Sequence, residues 1–551
     1  EKNLSFSYAV RYSEKIEEVS IRALSHVENR TLFLAVSGEG NSDTYRPLIF
    51  LVDGRIASAP VYRLNGEFSH AERIPLEGGT HSLEVVYNGE TVHSEEVFVP
   101  PAFSPFALLG LLMALSTAYF VPGKPFERFA SAILIVAFAL VAGFELSKFG
   151  ADFLVPLALL GACFWLWKLK KGKHAGKKES AEDLRVFRHA MVAGLVFVLY
   201  IGLVNIFISD YDVWGAYYFR HAQATFETGT TDYFDALSYL GRPSTYPPVF
   251  LEFSAQLARA FGTGFEGIRL PLNLLSSFAF ASTSFLLFRH YKGRERWLAT
   301  FLFLTQWAFL LTASGIGLHI FAFTLLNASL LLMAANPVAS ALSLGLAFAC
   351  HPITLAFFPF YHYATNRFNL DLKRIFIWGV AAVAVSLPFY IPIFMRAGLP
   401  YEIMPGQWGY LLSYGIDGMR FDFQFLLPLF AGCALFGLAK GKYRLPSFIL
   451  AGLLLFNTYV SLRSDLVVAM LGAALFPLVF EKWLKDRWVY ATVAVLFVLS
   501  NFFIGAVVLS GTQYHCSWGL ADDICTAPMR YVSMHTPSES KVSVDPLYGH
   551  L

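Results

Sequence analysis

Apolar runs of roughly 17–22 residues, the length that carries an α-helix across a bilayer, follow one another from residue 103 almost to the end of the chain. They cover 103–122, 128–146, 150–168, 188–209, 268–288, 297–313, 316–334, 337–350, 353–366, 374–395, 421–439, 446–462, 466–482 and 488–510. The runs 337–350 and 353–366 are short and parted only by Cys350-His351-Pro352, so they read as two spans or as one broken unit. Of the 551 residues, 15% are charged and 56% hydrophobic, against roughly 25% charged in soluble domains. That excludes a wholly soluble enzyme and a disordered chain. Five cysteines exclude a disulfide-dense scaffold, and a formal net charge of +2 gives no footing for nucleic acid. The expected fold class is a polytopic α-helical membrane protein of about fourteen transmembrane helices with an N-terminal β-sandwich.

The sandwich is expected in residues 1–101. The first hundred residues hold 15 acidic and 9 basic side chains, or −6, which leaves 33 basic and 25 acidic, or +8, for the rest. Apolar and polar residues alternate in the runs 31–36, 48–52, 81–87 and 91–99, with Asp53-Gly54 and Asn88-Gly89 between them. Period-two alternation around Asp-Gly and Asn-Gly is a hairpin pattern. About seven strands are expected, closing at Pro100-Pro101. No hydrophobic leader precedes Glu1, so export of this domain falls to a signal peptide already removed or to the first span.

Basic residues give an orientation. Lys168, Lys170, Lys171, Lys173, Lys177 and Lys178 follow the third run, and Arg289, Lys292, Arg294 and Arg296 the fifth. Arg367, Lys373 and Arg374 follow the ninth, Lys440, Lys442 and Arg444 the eleventh, and Lys482, Lys485 and Arg487 the thirteenth. If the spans alternate, all fall on one side, which the positive-inside rule makes cytoplasmic. The expectation is a multi-pass protein of the cell membrane with both termini extracytoplasmic. Residues 102–187 then form three helices and a basic cytoplasmic loop, 188–510 the main membrane module with an outer loop at 210–267, and 511–551 an outer tail. The Lys168–Lys178 run sets topology and adds attraction for anionic membrane lipids.

The alternation requires that 249–261 not be a span. That segment is amphipathic, carries Glu252, Gln256 and Arg259, and reads as an interfacial helix on the outer surface. Cys516 and Cys525 lie in the tail on the oxidising side, where a disulfide between them is expected. Cys163, Cys350 and Cys433 read as packing residues.

The chemistry lies in the outer loop after the fourth run. It begins Ser209-Asp-Tyr-Asp-Val-Trp-Gly-Ala-Tyr-Tyr-Phe-Arg-His-Ala222, passes Asp232 and Asp235, and ends Tyr246-Pro247-Pro248. Asp210 and Asp212 stand where an apolar helix leaves the bilayer. A carboxylate pair there binds a divalent cation, serves as a general base, or simply ends the helix in water.

The ordered set resembles the first outer loop of the GT-C glycosyltransferases, polytopic enzymes that take sugars from polyprenyl-phosphate carriers. Within that superfamily, Phe261-Gly262, Gly267-Ile-Arg-Leu-Pro271 and Phe288-Arg-His-Tyr-Lys-Gly293 look like the protein O-mannosyltransferase and lipid A aminoarabinose transferase branch. Leu344-Gly-Leu-Ala-Phe-Ala-Cys-His-Pro352 and Ser386-Leu-Pro-Phe-Tyr390 are similar to the same branch. The likeness covers about residues 188–510 and leaves out the β domain and the first three spans.

The resemblance implies a donor that is a polyprenyl-phosphate-linked sugar and an acceptor that is a protein, lipid or glycan. Asp212 or Asp210 takes the place of the catalytic base on the acceptor. Tyr246, Pro247 and Pro248 shape the acceptor cleft, and Arg269 fixes its helix or meets phosphate. His351 stands where related enzymes have a lysine near the lipid phosphate. Arg396, Arg420 and Arg463, on the outer side, pair with phosphate oxygens. A divalent cation, Mg or Mn, held by Asp210, Asp212 and His319, is the one cofactor it admits. The second outer loop, 313–319, has no acidic residue where many members carry one, which weighs against metal dependence. The chain also lacks the Trp-Trp-Asp-Tyr-Gly signature of oligosaccharyltransferases, which ranks single-sugar transfer above en bloc transfer. Two other classes stay open: a non-catalytic GT-C-like subunit acting in cell-surface assembly, and a transporter, which the scarcity of ionisable residues within the runs disfavours.

Overall fold

The computed structural model describes residues 19–28, 31–59, 61–76, 79–87, 90–99, 103–172, 180–207, 248–263, 265–304, 318–397, 427–459, 464–486, 488–493 and 495–496, with isolated positions between 221 and 243. The chain divides into two compact units, Glu1–Ala102 and Phe103–Leu551.

The first unit is antiparallel: β1 (Val19–Glu28), β2 (Thr31–Val52), β3 (Arg55–Ser58), β4 (Val61–Pro75), β5 (Gly79–Tyr87) and β6 (Glu90–Val99). β2 is its spine. The first half pairs with β1 and β4, the second with β3 and β5, and the register slips between Asn41 and Tyr45. Leu32, Leu34 and Val36 from the first half and Leu48 and Phe50 from the second face one core with Ile74, Leu83, Val85 and Tyr87. Alternate residues are buried, as a half-buried strand requires. There are six strands among the described residues where about seven were expected. The runs 31–36 and 48–52 belong to a single strand, because Ser37–Asn41 stays paired with Asn65–Ser69 instead of turning. At the β2–β3 turn, Asp53 holds a left-handed φ of 53°. Its carboxylate accepts the Ser82 N–H at 3.0 Å and sits 2.7 Å from His81 Nδ1. The His81 contact first, and the Ser82 bond second, hold that carboxyl below its ordinary range.

The second unit is helical: α1 (Pro105–Phe120), α2 (Pro125–Ser147), α3 (Leu154–Gly172), α4 (Ala181–Phe207), α5 (Val249–Phe261), α6 (Phe265–Leu287), α7 (Gly293–Leu304), α8 (Leu318–Leu332), α9 (Pro337–Cys350), α10 (Ile353–Thr365), α11 (Leu372–Ala397), α12 (Leu427–Ala439), α13 (Arg444–Tyr459) and α14 (Ser464–Val479). Each of the first thirteen apolar runs coincides with a helix, and most of the fourteenth lies outside the described residues. Among the described residues, four helices, within α2, α4, α6 and α11, are long and apolar enough to cross a membrane, and six others are apolar but shorter. The expectation of about fourteen spans is thus met at full length by four. Local chemistry sets some of these ends. Asn336 accepts the Ala339 N–H at 3.1 Å ahead of Pro337 to start α9, and extended His351 before Pro352 stops it.

Polar side chains join the buried helices. Asn327 on α8 donates to Thr283 and Ser284 on α6 at 3.2 and 3.0 Å, and Ser343 on α9 donates to the Leu325 carbonyl at 2.8 Å. Such bonds between apolar helices are worth about 0.6 kcal/mol each. Gly345 lets α9 approach Val385 on α11 more closely than any Cβ would permit. Outward, α11 exposes Phe376, Ile377, Val380 and Ile391, as a helical membrane protein does toward lipid.

Contacts gather the helix ends into two sets. Lys124 before α2 pairs with Asp183 in α4 at 3.4 Å, and the Arg289 guanidinium after α6 lies over Phe126 at 4.6 Å. Arg296 in α7 donates to the carbonyls of Arg289 and Tyr291, and Arg367 after α10 donates to that of His290. Lys440 after α12 donates to the Val479 carbonyl at the end of α14. The loops read as one basic side therefore meet at one end. At the other end, the Ser104 N–H before α1 donates to the Arg259 carbonyl in α5 at 2.9 Å, and Arg259 donates to Ser147 at the end of α2 at 3.2 Å.

Candidate functional site

The second end holds the polar groups that packing does not explain. Helix α5 is amphipathic, yet Val249 through Ala258 and Ala260 are buried, including Glu252 and Gln256 at 1% exposure each. This corrects the reading of a helix lying on a surface. α5 ends where Gly262, at φ 66°, turns left-handed. Phe250 and Phe253 meet Phe321 of α8 at 5.8 and 4.4 Å, and the Gln256 amide lies against Gly143 of α2.

The polar stripe of α5 meets the last turn of α2. Lys148 Nζ is 2.6 Å from Glu145 Oε1 and 3.9 Å from Glu252 Oε1, and Thr231 donates its hydroxyl to Glu252 Oε1 at 2.9 Å. Glu252 Oε2 and Gln256 Oε1 accept no hydrogen bond from the described residues. Burial first, and the adjoining Glu145 carboxyl second, hold Glu252 well above the ordinary carboxyl value of 4.5, while Lys148 and Thr231 pull the other way. The result is a buried carboxyl whose protonated form is favoured, beside the Glu145–Lys148 ion pair.

Two histidines sit at the same end. His319, in the first turn of α8, and His351, which ends α9, have ring centroids 4.5 Å apart at 46°. Both are half-buried. His351 Nδ1 accepts the Ile353 N–H at 3.3 Å, which leaves Nε2 to carry the proton of the neutral ring. Phe321, two residues after His319, meets Phe250 and Phe253, which flank Glu252 on α5, so the start of α8 packs on the helix that carries the carboxyl.

The expected site residues divide three ways. His319 and His351 come together, although separate arguments had singled them out. Pro248 is buried directly before α5, Arg269 is half-buried in the second turn of α6, and the backbone of Arg396 lies in the last turn of α11. Asp210, Asp212, Tyr246, Pro247, Arg420, Arg463 and the Cys516–Cys525 pair lie outside the described residues, as does the bulk of the outer loop. Among the described residues no group of three or more His, Cys, Asp or Glu is placed to hold a metal ion, so the Mg or Mn expectation rests on the aspartates. Glu145, Lys148 and Thr231 escaped the sequence reading. The available signal was a charged i, i+3 pair, Glu145 and Lys148, closing an otherwise apolar run. Comparison with protein-family models, curated proteins and solved structures returned no match in any of the three.

Proposed function

We propose that the chain is a GT-C-like membrane glycosyltransferase of the cell membrane, moving a sugar from a polyprenyl-phosphate carrier to an acceptor on the extracytoplasmic face. In this reading the basic end faces the cytoplasm, and the end with the histidine pair faces outward with both termini. The observation that carries it is the meeting of His319 and His351 at the end of the helical unit where Glu252 is buried.

Asp212 or Asp210 removes the proton of the acceptor hydroxyl as its oxygen bonds to the anomeric carbon and the sugar–phosphate bond breaks. The departing lipid phosphate is already an anion, so donors aimed at it matter more than a general acid. His351 offers Nε2–H even when uncharged, and Arg396, Arg420 and Arg463 supply positive charge from the outer side. Burial and the Glu145 carboxyl favour the protonated form of Glu252, which lessens the repulsion a carboxylate would exert on that phosphate.

The test is transfer from a panel of polyprenyl-phosphate-linked hexoses, pentoses and amino sugars by the full chain in detergent. Asp210→Asn or Asp212→Asn is expected to lower turnover by roughly 10²–10⁴-fold. Full activity in both variants would sink the assignment of the base. No transfer by the unaltered chain across the panel would favour a non-catalytic subunit.

A further inference from the structure

Helix α7 presents Arg294, Trp297, Leu298 and Phe301 along one face, at the i, i+3, i+4, i+7 spacing of a helical stripe. Tyr490 and Val493 face them from the helical segment 488–493. Between the two lies an open, largely apolar groove of about 400 Å³, within the size range of single-ligand sites. Arg294, at one end of the lining, is two residues beyond Lys292 in the turn that joins α6 to α7. Arg294 is exposed and enters no ion pair with another described residue.

We infer that this groove is a binding site for one anionic phospholipid, its headgroup on Arg294 and one acyl chain along Leu298, Phe301 and Val493. The floor offers hydrocarbon and no hydrogen-bonding partner, so the buried part of the occupant is a hydrocarbon chain. Arg294 puts an exposed guanidinium at one end of this lining, in reach of Tyr490 as the Glu295 carboxyl is, and a guanidinium suits phosphate oxygens. Trp and Tyr at the rim of an apolar band are also the side chains that settle at headgroup depth. A zwitterionic headgroup would bring its own ammonium to the guanidinium, which selects for net negative charge. The site is at the end of the helical unit opposite the proposed transfer chemistry and does not depend on it.

The full chain, purified in detergent, is offered phosphatidylglycerol or phosphatidylcholine with a photoactivatable diazirine on the acyl chain, and the crosslinked peptides are mapped by mass spectrometry. Phosphatidylglycerol should label Phe301 and Val493 about fivefold more than phosphatidylcholine does, the effect of one basic residue near a lipid surface. Arg294→Gln, a change at an exposed position, should bring that ratio close to one without lowering phosphatidylcholine labelling. Leu298→Trp should suppress labelling by both lipids by filling the groove. Equal labelling of the unaltered chain by the two lipids, or a preference that survives Arg294→Gln, overturns the inference. So does a groove that neither lipid labels, the outcome if another part of the chain covers it.

Discussion

At one end of the helical unit, Arg296 lays its guanidinium on the carbonyls of Arg289 and Tyr291, at 2.7–3.1 Å, so a largely buried charge is met by backbone oxygens. At the other end, Glu252 is more deeply buried and keeps one carboxyl oxygen that accepts nothing from the described residues, and burial first, with Glu145 second, favours its protonated form. The first arrangement fixes loops in place, and a buried ring nitrogen near it without a hydrogen-bond partner among the described residues is His362 Nε2. The second holds the buried acceptors of Glu252 and Gln256 and, at the same end, the His319–His351 pair. Buried polar groups that satisfy one another build structure, whereas incompletely satisfied ones mark the place to look for chemistry.

The largest expected effect on stability is at the basic end. Arg296→Met removes three charge-assisted bonds and leaves the carbonyls of Arg289 and Tyr291 short of donors, which should cost about 2–4 kcal/mol in detergent unfolding. A loss near zero would mean that the two ends do not differ as described.

The pH dependence should have opposite signs at the two ends. The folded value of Glu252 lies above its ordinary 4.5, so its contribution is full below 4.5 and drains as pH rises through the folded value. His290 is pushed below its ordinary 6.5 by burial and then by Arg289, Arg367 and Arg296. Its contribution is full above 6.5 and is lost as pH falls through the folded value. Melting followed from about pH 5 to about pH 9 should therefore show an alkaline decline that Glu252→Gln removes and His290→Phe does not. A decline that persists in Glu252→Gln would break the contrast.

The smallest effect should be that of Glu252→Gln itself near neutral pH. The amide oxygen still accepts from Thr231 and the amide matches the protonated carboxyl that burial favours, so the shift should be under about 1 kcal/mol. A much larger loss would show that the carboxyl is ionised in the folded protein.

The helices were legible because an apolar run of that length has few other fates, and the basic turns ordered their ends correctly among the described residues. β2 was misread because Gly38, Gly40 and Asn41 resemble a turn, whereas pairing with β4 carries the strand through them. The burial of α5 was hidden for a different reason. Glu252 and Gln256 on an amphipathic helix look solvent-facing, and only Glu145, Lys148 and Thr231, distant in sequence, make their burial tolerable. His319 and His351 were each visible as a histidine at a helix end. Their pairing depends on how α8 and α9 pack, which spacing along the chain does not encode.

The most direct test of the claim that the two ends differ in function is sugar transfer by His351→Ala beside His290→Ala, with the same polyprenyl-phosphate donors. Under the proposed assignment of His351 to the lipid phosphate, the first change should lower kcat/KM by roughly 10–100-fold, while the second leaves it within about twofold of the unaltered chain. Equal losses, or full activity in His351→Ala, would contradict the account.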